Sequence, residues 1–190
     1  MISYQSFPRT LLVFALLFAL ISCGGESVSP DMTDMQNGGN SNGGGTNDMS
    51  GEATKAPDFN LTSVNGGEVS LSNFSGKPLV IFFFGSTCSL CIASAPSVES
   101  KIHSAFASDK MKIIGIDTWD GNKAAVTNFK TNTGVTFDLL LEGSKIQSSY
   151  NTTYDRLVVI DKNGNIAYKG TSSASSSVDD VATLLKDLIE

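Results

Sequence analysis

Cysteine, histidine and tryptophan are scarce in this chain, and each scarcity closes off a class of function. There are three cysteines, Cys23, Cys88 and Cys91, and one histidine, His103. Three cysteines are too few for a disulfide scaffold. A closed zinc site wants four ligands, and Cys23 and His103 are all that remain as Cys or His beyond the pair Cys88 and Cys91. Positive charge is outweighed: 13 Lys and Arg face 19 Asp and Glu, a formal net charge of −6. That balance argues against nucleic acid or anionic lipid as a main partner. The apolar run 11–21 is too short to span a bilayer comfortably. No internal repeat is present. All five prolines lie at or before Pro96. With 41% hydrophobic and 17% charged residues, the composition is that of an ordinary soluble globular protein.

What is present is concentrated in the stretch 82–96, FFFGSTCSLCIASAP. An apolar run breaks at Gly85-Ser86-Thr87, and Cys88-Ser89-Leu90-Cys91 opens an amphipathic segment. A strand, a short turn and a Cys-x-x-Cys at the head of a helix is the layout of a dithiol redox site. Downstream, Cys91, Ala95, Val98, Ile102 and Ala105 recur in steps of four, three, four and three. Those steps mark one helical face, so Cys91 belongs to a buried stripe. Cys88 lies one turn earlier, at the tip, where unpaired backbone N–H groups and the helix dipole favour a thiolate. Cys88 is therefore expected to be reachable, with a depressed pKa. Cys91 is expected to be shielded, near the unperturbed value of about 8.5. Cys88 would attack a disulfide and Cys91 would resolve the mixed disulfide. The plainer alternatives are half a metal site, an inert disulfide, or an ordinary core cysteine at Cys91.

The N-terminus reads as an address. Arg9 precedes the apolar run, as in the h-region of a secretory signal. Leu20-Ile21-Ser22-Cys23 resembles a bacterial lipobox. By that resemblance, residues 1–22 are a lipoprotein signal and Cys23 becomes an acylated N-terminus. More than one acyl chain gives stable anchoring. The protein would then work in the cell envelope, where disulfides persist. Gly24, in place of the aspartate associated with inner-membrane retention, favours the outer membrane by the same resemblance. Residues 23–55 form a tether rich in Gly, Asn, Ser and Asp, too poor in apolar surface to fold. Met32, Met35 and Met49 are too few and too irregularly spaced to read as a copper tract.

Residues 56–190 read as one α/β domain. Phe59-Asn60-Leu61 and Val69-Ser70-Leu71 alternate as short strands around Asn65-Gly66-Gly67. Residues 79–84 and 111–117 are buried strands, and 137–141 is a third apolar run. Helices are expected over 123–131, 146–150 and 178–189, with a hairpin of 157–160 and 166–168 around Asp161–Asn165. Pro96 predicts a kink in the cysteine helix. His103 is read as a solvated helix residue. Trp119 is read as a partner-binding aromatic or as packing against the next helix. The whole is a mixed sheet with helices on both faces.

Ala56-Pro57-Asp58-Phe59, the strand into Cys88-Ser89-Leu90-Cys91, Pro96, and Val159-Ile160-Asp161 with Gly164 together resemble thioredoxin-fold proteins of the TlpA/ResA type, within the redoxin and peroxiredoxin-like superfamily. The resemblance covers about Ala56 to Gly170. It implies a thioredoxin fold, a mixed central sheet flanked by helices, with an N-terminal strand extension. It implies thiol–disulfide exchange through Cys88 and Cys91, cycling through a Cys88–Cys91 disulfide, with a protein or small-molecule thiol as partner and no cofactor. Three positions depart from the pattern. Thr87 stands where Trp is usual, Ser94 where several members carry Glu, and Asp155 or Arg156 occupies the slot of a cis-proline. Peroxiredoxins hold their reactive thiolate with an arginine at the start of a comparable strand. By that likeness Arg156 is expected to support Cys88 and lower its pKa. Otherwise it is a surface arginine held by Asp155 or a backbone group. Gly85 stands where peroxiredoxins have Thr. The other functions weighed are handling of a soft metal such as copper by the two thiolates, and peroxide reduction.

Overall fold

A computed structural model describes residues 53–106 and 109–190. The expected signal 1–22, Cys23 with its lipidation, and the tether as far as residue 52 lie outside the described residues.

The fold is built on β3 (Leu79–Phe84), LVIFFF, with all six residues buried. A strand without a polar residue is stable only where both faces are covered, and here both are. β4 (Lys112–Asp117) pairs with it in parallel, Leu79 opposite Lys112 and Phe84 opposite Asp117. β6 (Arg156–Ile160) pairs with its other edge antiparallel, Leu79 opposite Ile160 and Phe83 opposite Arg156. β5 (Asp138–Leu140) extends the parallel side, and β7 (Ile166–Lys169) the antiparallel side. The strand order is β5-β4-β3-β6-β7. Each buried Phe or Ile contributes roughly 1.5–3 kcal/mol.

Alternation along β3 sorts the core into two layers. Val80, Phe82 and Phe84 face α1 (Ser89–Val98), α3 (Lys123–Thr133) and α5 (Ala174–Leu188). Leu79, Ile81 and Phe83 face the N-terminal segment, with Phe59 and Leu61, and Tyr150 at the end of α4 (Ser144–Ser149). The expected N-terminal strands are β1 (Asn60–Thr62) and β2 (Glu68–Ser70), an antiparallel pair of their own. Leu71 is not in the strand; it opens a 3₁₀ turn, Leu71–Phe74. The ordered chain also begins before residue 56. The Ile166 N–H donates to the Thr54 carbonyl at 2.8 Å, and the Lys55 ammonium donates to the Asn163 carbonyl at 2.6 Å. The sequence reading had given these two residues to the tether.

The cysteine helix departs from regularity after Pro96. Cys91, Ala95, Val98 and Ile102 are all fully buried, but Ala105 is exposed. Pro96 offers no N–H to the ladder, and the chain widens into a π turn, Glu99–His103, before α2 (Ser104–Phe106). The expected kink is thus a change of helical pitch, a recognised cause of bending. His103 is not free in solvent. Its Nδ1 lies 2.9 Å from Glu99 Oε1 and 3.0 Å from Thr136 Oγ1, and its ring meets Phe137 edge-on. Thr136 N–H and Oγ1 also donate to the Glu99 carboxylate, at 2.9 Å each. The π turn is pinned to the segment entering β5. No helix among the described residues is long and apolar enough to cross a membrane.

Candidate active site

The turn between β3 and α1 sets the two cysteines. Cys88 N–H donates to the Gly85 carbonyl at 3.0 Å, closing the turn. Cys88 then takes the N-cap of α1, in extended conformation, and its Sγ accepts from the Cys91 N–H at 3.2 Å. A cap side chain normally satisfies one of the unpaired N–H groups of the first turn with oxygen; here sulfur does so. Cys91 Sγ in turn accepts from the Gly85 N–H at 3.4 Å. Both cysteines are free thiols, so the arrangement is the dithiol state.

Cys88 is expected to be reachable at the helix tip, but the structure buries it along with Cys91. Cys88 keeps 4% of its surface and Cys91 none. The reason is that Cys88 turns its sulfur back over the first turn of α1 to meet the Cys91 N–H. Cys91 also departs from its expected ordinary acidity. Burial pushes its thiol well above the usual range, and a hydrogen bond with the Cys88 side chain adds to this. The Gly85 N–H pulls the other way, and the negative charges of Cys88 and Asp155 push up further. Cys91 therefore holds its proton.

Arg156 does not join the dithiol. On β6 it is in register with Phe83, whereas its neighbour Leu157 pairs with Phe82 and packs in the layer that holds both cysteines. Its guanidinium donates to the Asp155 carbonyl at 2.9 Å, and it lines a shallow cleft with Asn151, Thr152 and Lys169. Strand parity defeats the expected support of Cys88. The residue before it, Asp155, is buried to 2% exposure with φ at 56°, and its charge acts on Cys91. Ser94, where a Glu is usual, is buried at 2% exposure.

A second acid organises the approach to the site. Asp117 ends β4, is fully buried, and accepts from the Ser86 N–H at 2.9 Å and the Gly121 N–H at 2.6 Å. Burial raises its pKa; the N–H donors from Gly121, Ser86 and Trp119 moderate the rise. It ties the turn before Cys88 to the loop after β4. That loop carries Trp119, which lies against Gly85 so closely that a Cβ there would come within 2.5 Å of the indole. Tyr154 meets Trp119 edge-on, ring centroids 5.3 Å apart. Leu90, Trp119 and Tyr154 are the exposed large hydrophobic residues among those described, at 61%, 47% and 37%. All three border the dithiol: one lies between the cysteines, one on the turn before them, one beside Asp155. The sequence reading gave Asp117 and Tyr154 no role. The available signal was an acid closing a buried strand, at 113–117, IIGID.

Comparison with known proteins bears directly on this geometry. The family model "Redoxin" matches residues 51–188. The chain belongs to the redoxin family. The redoxin is 28% identical over 118 residues to the thioredoxin-like protein YneN of Bacillus subtilis, covering 60% of this chain and 68% of that one. It is 31% identical over 91 residues to the thiol-disulfide oxidoreductase ResA of the same organism, covering 48% of this chain and 50% of ResA. A solution structure described as a candidate protein disulfide isomerase from Bacteroides thetaiotaomicron superposes with a TM-score of 0.65 at 28% identity. It covers 72% of this chain and 89% of that one. A thiol:disulfide interchange protein of the thioredoxin family from Chlorobium tepidum shares the fold, with a TM-score of 0.62 at 21% identity, covering 73% of this chain and 98% of that one. The redoxin thus has the thioredoxin fold, and dithiol and relatives together make it a thiol–disulfide oxidoreductase.

Proposed function

We propose that this redoxin exchanges disulfides with extended polypeptide partners in the cell envelope, held to a membrane by acyl chains on Cys23. The observation that carries the polypeptide substrate is the apolar collar of Leu90, Trp119 and Tyr154 at the dithiol. Exposed aromatics beside a reactive group favour a partner that buries them, as interface anchors do. Cys88 is the attacking sulfur because it caps the helix and keeps some surface. Cys91, fully buried and protonated, is the resolving one. The lipobox-like Leu20-Ile21-Ser22-Cys23 and Gly24 support an anchor in the outer membrane. Acylation at roughly 0.8 kcal/mol per buried CH₂ would hold it there.

The test uses the full-length protein with a reduced, unfolded polypeptide and with its oxidised form. Cys88→Ser abolishes exchange in either direction. Cys91→Ser traps a covalent mixed disulfide that a thiol releases. Exchange that persists in Cys88→Ser would overturn the assignment. For the anchor, Cys23→Ser moves the protein from the membrane to the soluble fraction and abolishes incorporation of labelled fatty acid.

Peroxide reduction is a second reading, favoured by 31% identity over 132 residues to a chloroplastic peroxiredoxin Q of rice, 57% of that protein's length. Turnover of hydrogen peroxide with a thiol donor tests it. Among the described residues no three of His, Cys, Asp or Glu converge on a metal position.

A further inference from the structure

The end of the sheet that carries the dithiol turn also carries two cations. Arg156 opens β6 opposite Phe83, and Lys169 closes β7 opposite Val158. Val158 stands two residues on from Arg156, so the two basic side chains leave the same face of the sheet. They are diagonal neighbours across an antiparallel pair, about 7–8 Å apart at the backbone and within reach of one ligand. The Gly170 N–H donates to the Leu157 carbonyl at 2.8 Å and holds the end of β7 in this register.

With Asn151, Thr152, Thr153 and Thr171 the two cations line a cleft of about 380 Å³. No carboxylate lines it. Two larger clefts each mix cations with acids: Asp58 and Asp161 stand with Lys77 and Lys162 in one, Asp109 and Asp138 with Lys112 in the other. Arg156 is half-buried and spends one N–H on the Asp155 carbonyl, at 2.9 Å. Its fork has further donors to offer a carboxylate. Asp155 gives it that carbonyl and not its own carboxylate, whose Oδ1 has no hydrogen-bond partner among the described residues. The Lys169 ammonium is exposed, with no hydrogen bond or ion pair among the described residues. The ion pairs among those residues, Lys101 with Asp179 and His103 with Glu99, lie elsewhere. Neighbouring like charges repel. In a chain with 19 acids and 13 bases, two cations left side by side without an acid suit an anion brought from outside.

The cleft adjoins the apolar collar. Tyr154, which meets Trp119, lies in the chain between Thr153 and Arg156. A polypeptide seated on the collar therefore passes the cleft. Arg156 is one strand from β3 and Lys169 two, about 5 and 10 Å across the sheet. An extended chain covers that distance in about two to four residues.

We propose that this cleft binds an acidic side chain of the polypeptide substrate, so that the redoxin selects disulfides whose cysteine has a Glu or Asp about two to five residues away. This rests on the polypeptide-exchange reading. Arg156 forks onto the carboxylate, Lys169 adds the second charge, and the threonine hydroxyls are further donors. The contact holds the substrate in its ground and transition states alike, so it acts on KM.

The test uses the full-length protein and pairs of synthetic peptide disulfides, alike but for Glu or Gln at one position. That position is moved from about one to eight residues away on each side of the cysteine. Within one window of positions, KM for the Glu peptide is expected about tenfold below that for the Gln peptide, with kcat alike. The ratio is expected to shrink in about 1 M salt, where the screening length is about 3 Å. Arg156→Gln together with Lys169→Gln is expected to bring it to about one. Arg156→Glu together with Lys169→Glu is expected to turn the preference towards a Lys peptide, a reversal that damage to the fold cannot produce. Equal KM for Glu and Gln peptides at every position overturns the proposal. So does a preference that both double variants keep, and so does one of the same size at every position, which marks a general charge effect. In each of these outcomes the peptides still turn over and polypeptide exchange stands. A wild-type protein that exchanges with none of them refutes the exchange reading itself.

Discussion

Gly85 shows how much of this site rests on single atoms. Its N–H holds Cys91 Sγ, its carbonyl holds the Cys88 N–H, and the space of its missing side chain is filled by the Trp119 indole. Gly85→Ala must displace the indole, since the new methyl would lie 2.5 Å from it. The expected loss is about 1–3 kcal/mol, read by thermal melting together with a shifted Trp119 fluorescence; Trp119 is the sole tryptophan, so the signal is unambiguous. An unshifted spectrum would show that the indole does not lie on the turn. Arg156→Ala, by contrast, should leave the rate of Cys88 alkylation unchanged, because the guanidinium faces the Asp155 carbonyl on the other side of β6. Slower alkylation would restore the arginine to the site. At this scale the sequence was informative where local periodicity rules. The spacing of Cys91, Ala95, Val98 and Ile102 gave their burial directly. It was silent on the indole packed over Gly85 and on the charge acting on Cys91, because the groups responsible are Trp119 and Asp155, far along the chain. Whether Arg156 faces the dithiol depends on a strand register that a single sequence does not display.

At the level of elements, the helix that carries the cysteines is interrupted by its own proline, and its far end is fastened by a polar cluster. Burial alone would raise the pKa of Glu99; the hydrogen bond from His103 and those from Thr136 outweigh it and leave the carboxyl below its ordinary 4.5. The sign follows: a lowered folded-state pKa means stability present above 4.5 and lost as pH falls through the folded value. Glu99→Gln should therefore lower the melting temperature at neutral pH, by about 1 kcal/mol in stability. At a pH well below 4.5 it should melt with wild type. An equal deficit at both pH values would mean that shape, not charge, matters there. The strands were legible in the sequence to within about one residue, β3 above all, since a six-residue apolar run between turns has few other fates, whereas α4 and α5 start at Ser144 and Ala174, ahead of the expected 146 and 178. The π turn was not legible, because a proline announces a break in the ladder without saying how the helix resumes. Nor was the pairing of Thr54 and Lys55 with the 163–166 turn, because composition marks a tether and says nothing of where its last residues dock.

For the molecule as a whole, the layers divide the work. One face of the sheet, under α1, α3 and α5, holds the cysteines, and the other, under the N-terminal strands and α4, only closes the core. Exchange therefore happens at one end of one layer, where the β3–α1 turn, the loop after β4 and the segment before β6 meet. The first turn of α1, that loop and that segment contribute one exposed apolar side chain each, Leu90, Trp119 and Tyr154, although none is needed for the sulfur chemistry. If those side chains exist to seat a polypeptide, removing one must weaken polypeptide binding and spare the reaction of a small disulfide, which needs the sulfurs alone. Trp119→Ala is the sharpest case, since truncating a buried-on-binding aromatic anchor typically costs more than 1 kcal/mol. KM for an unfolded polypeptide disulfide should rise by about tenfold with kcat near wild type, that being 1.4 kcal/mol of binding common to ground and transition states. The rate with dithionitrobenzoate should stay within about twofold. A loss shared equally by both substrates would show instead that Trp119 only props the Gly85 turn, and the polypeptide reading would then stand on Leu90 and Tyr154 without it.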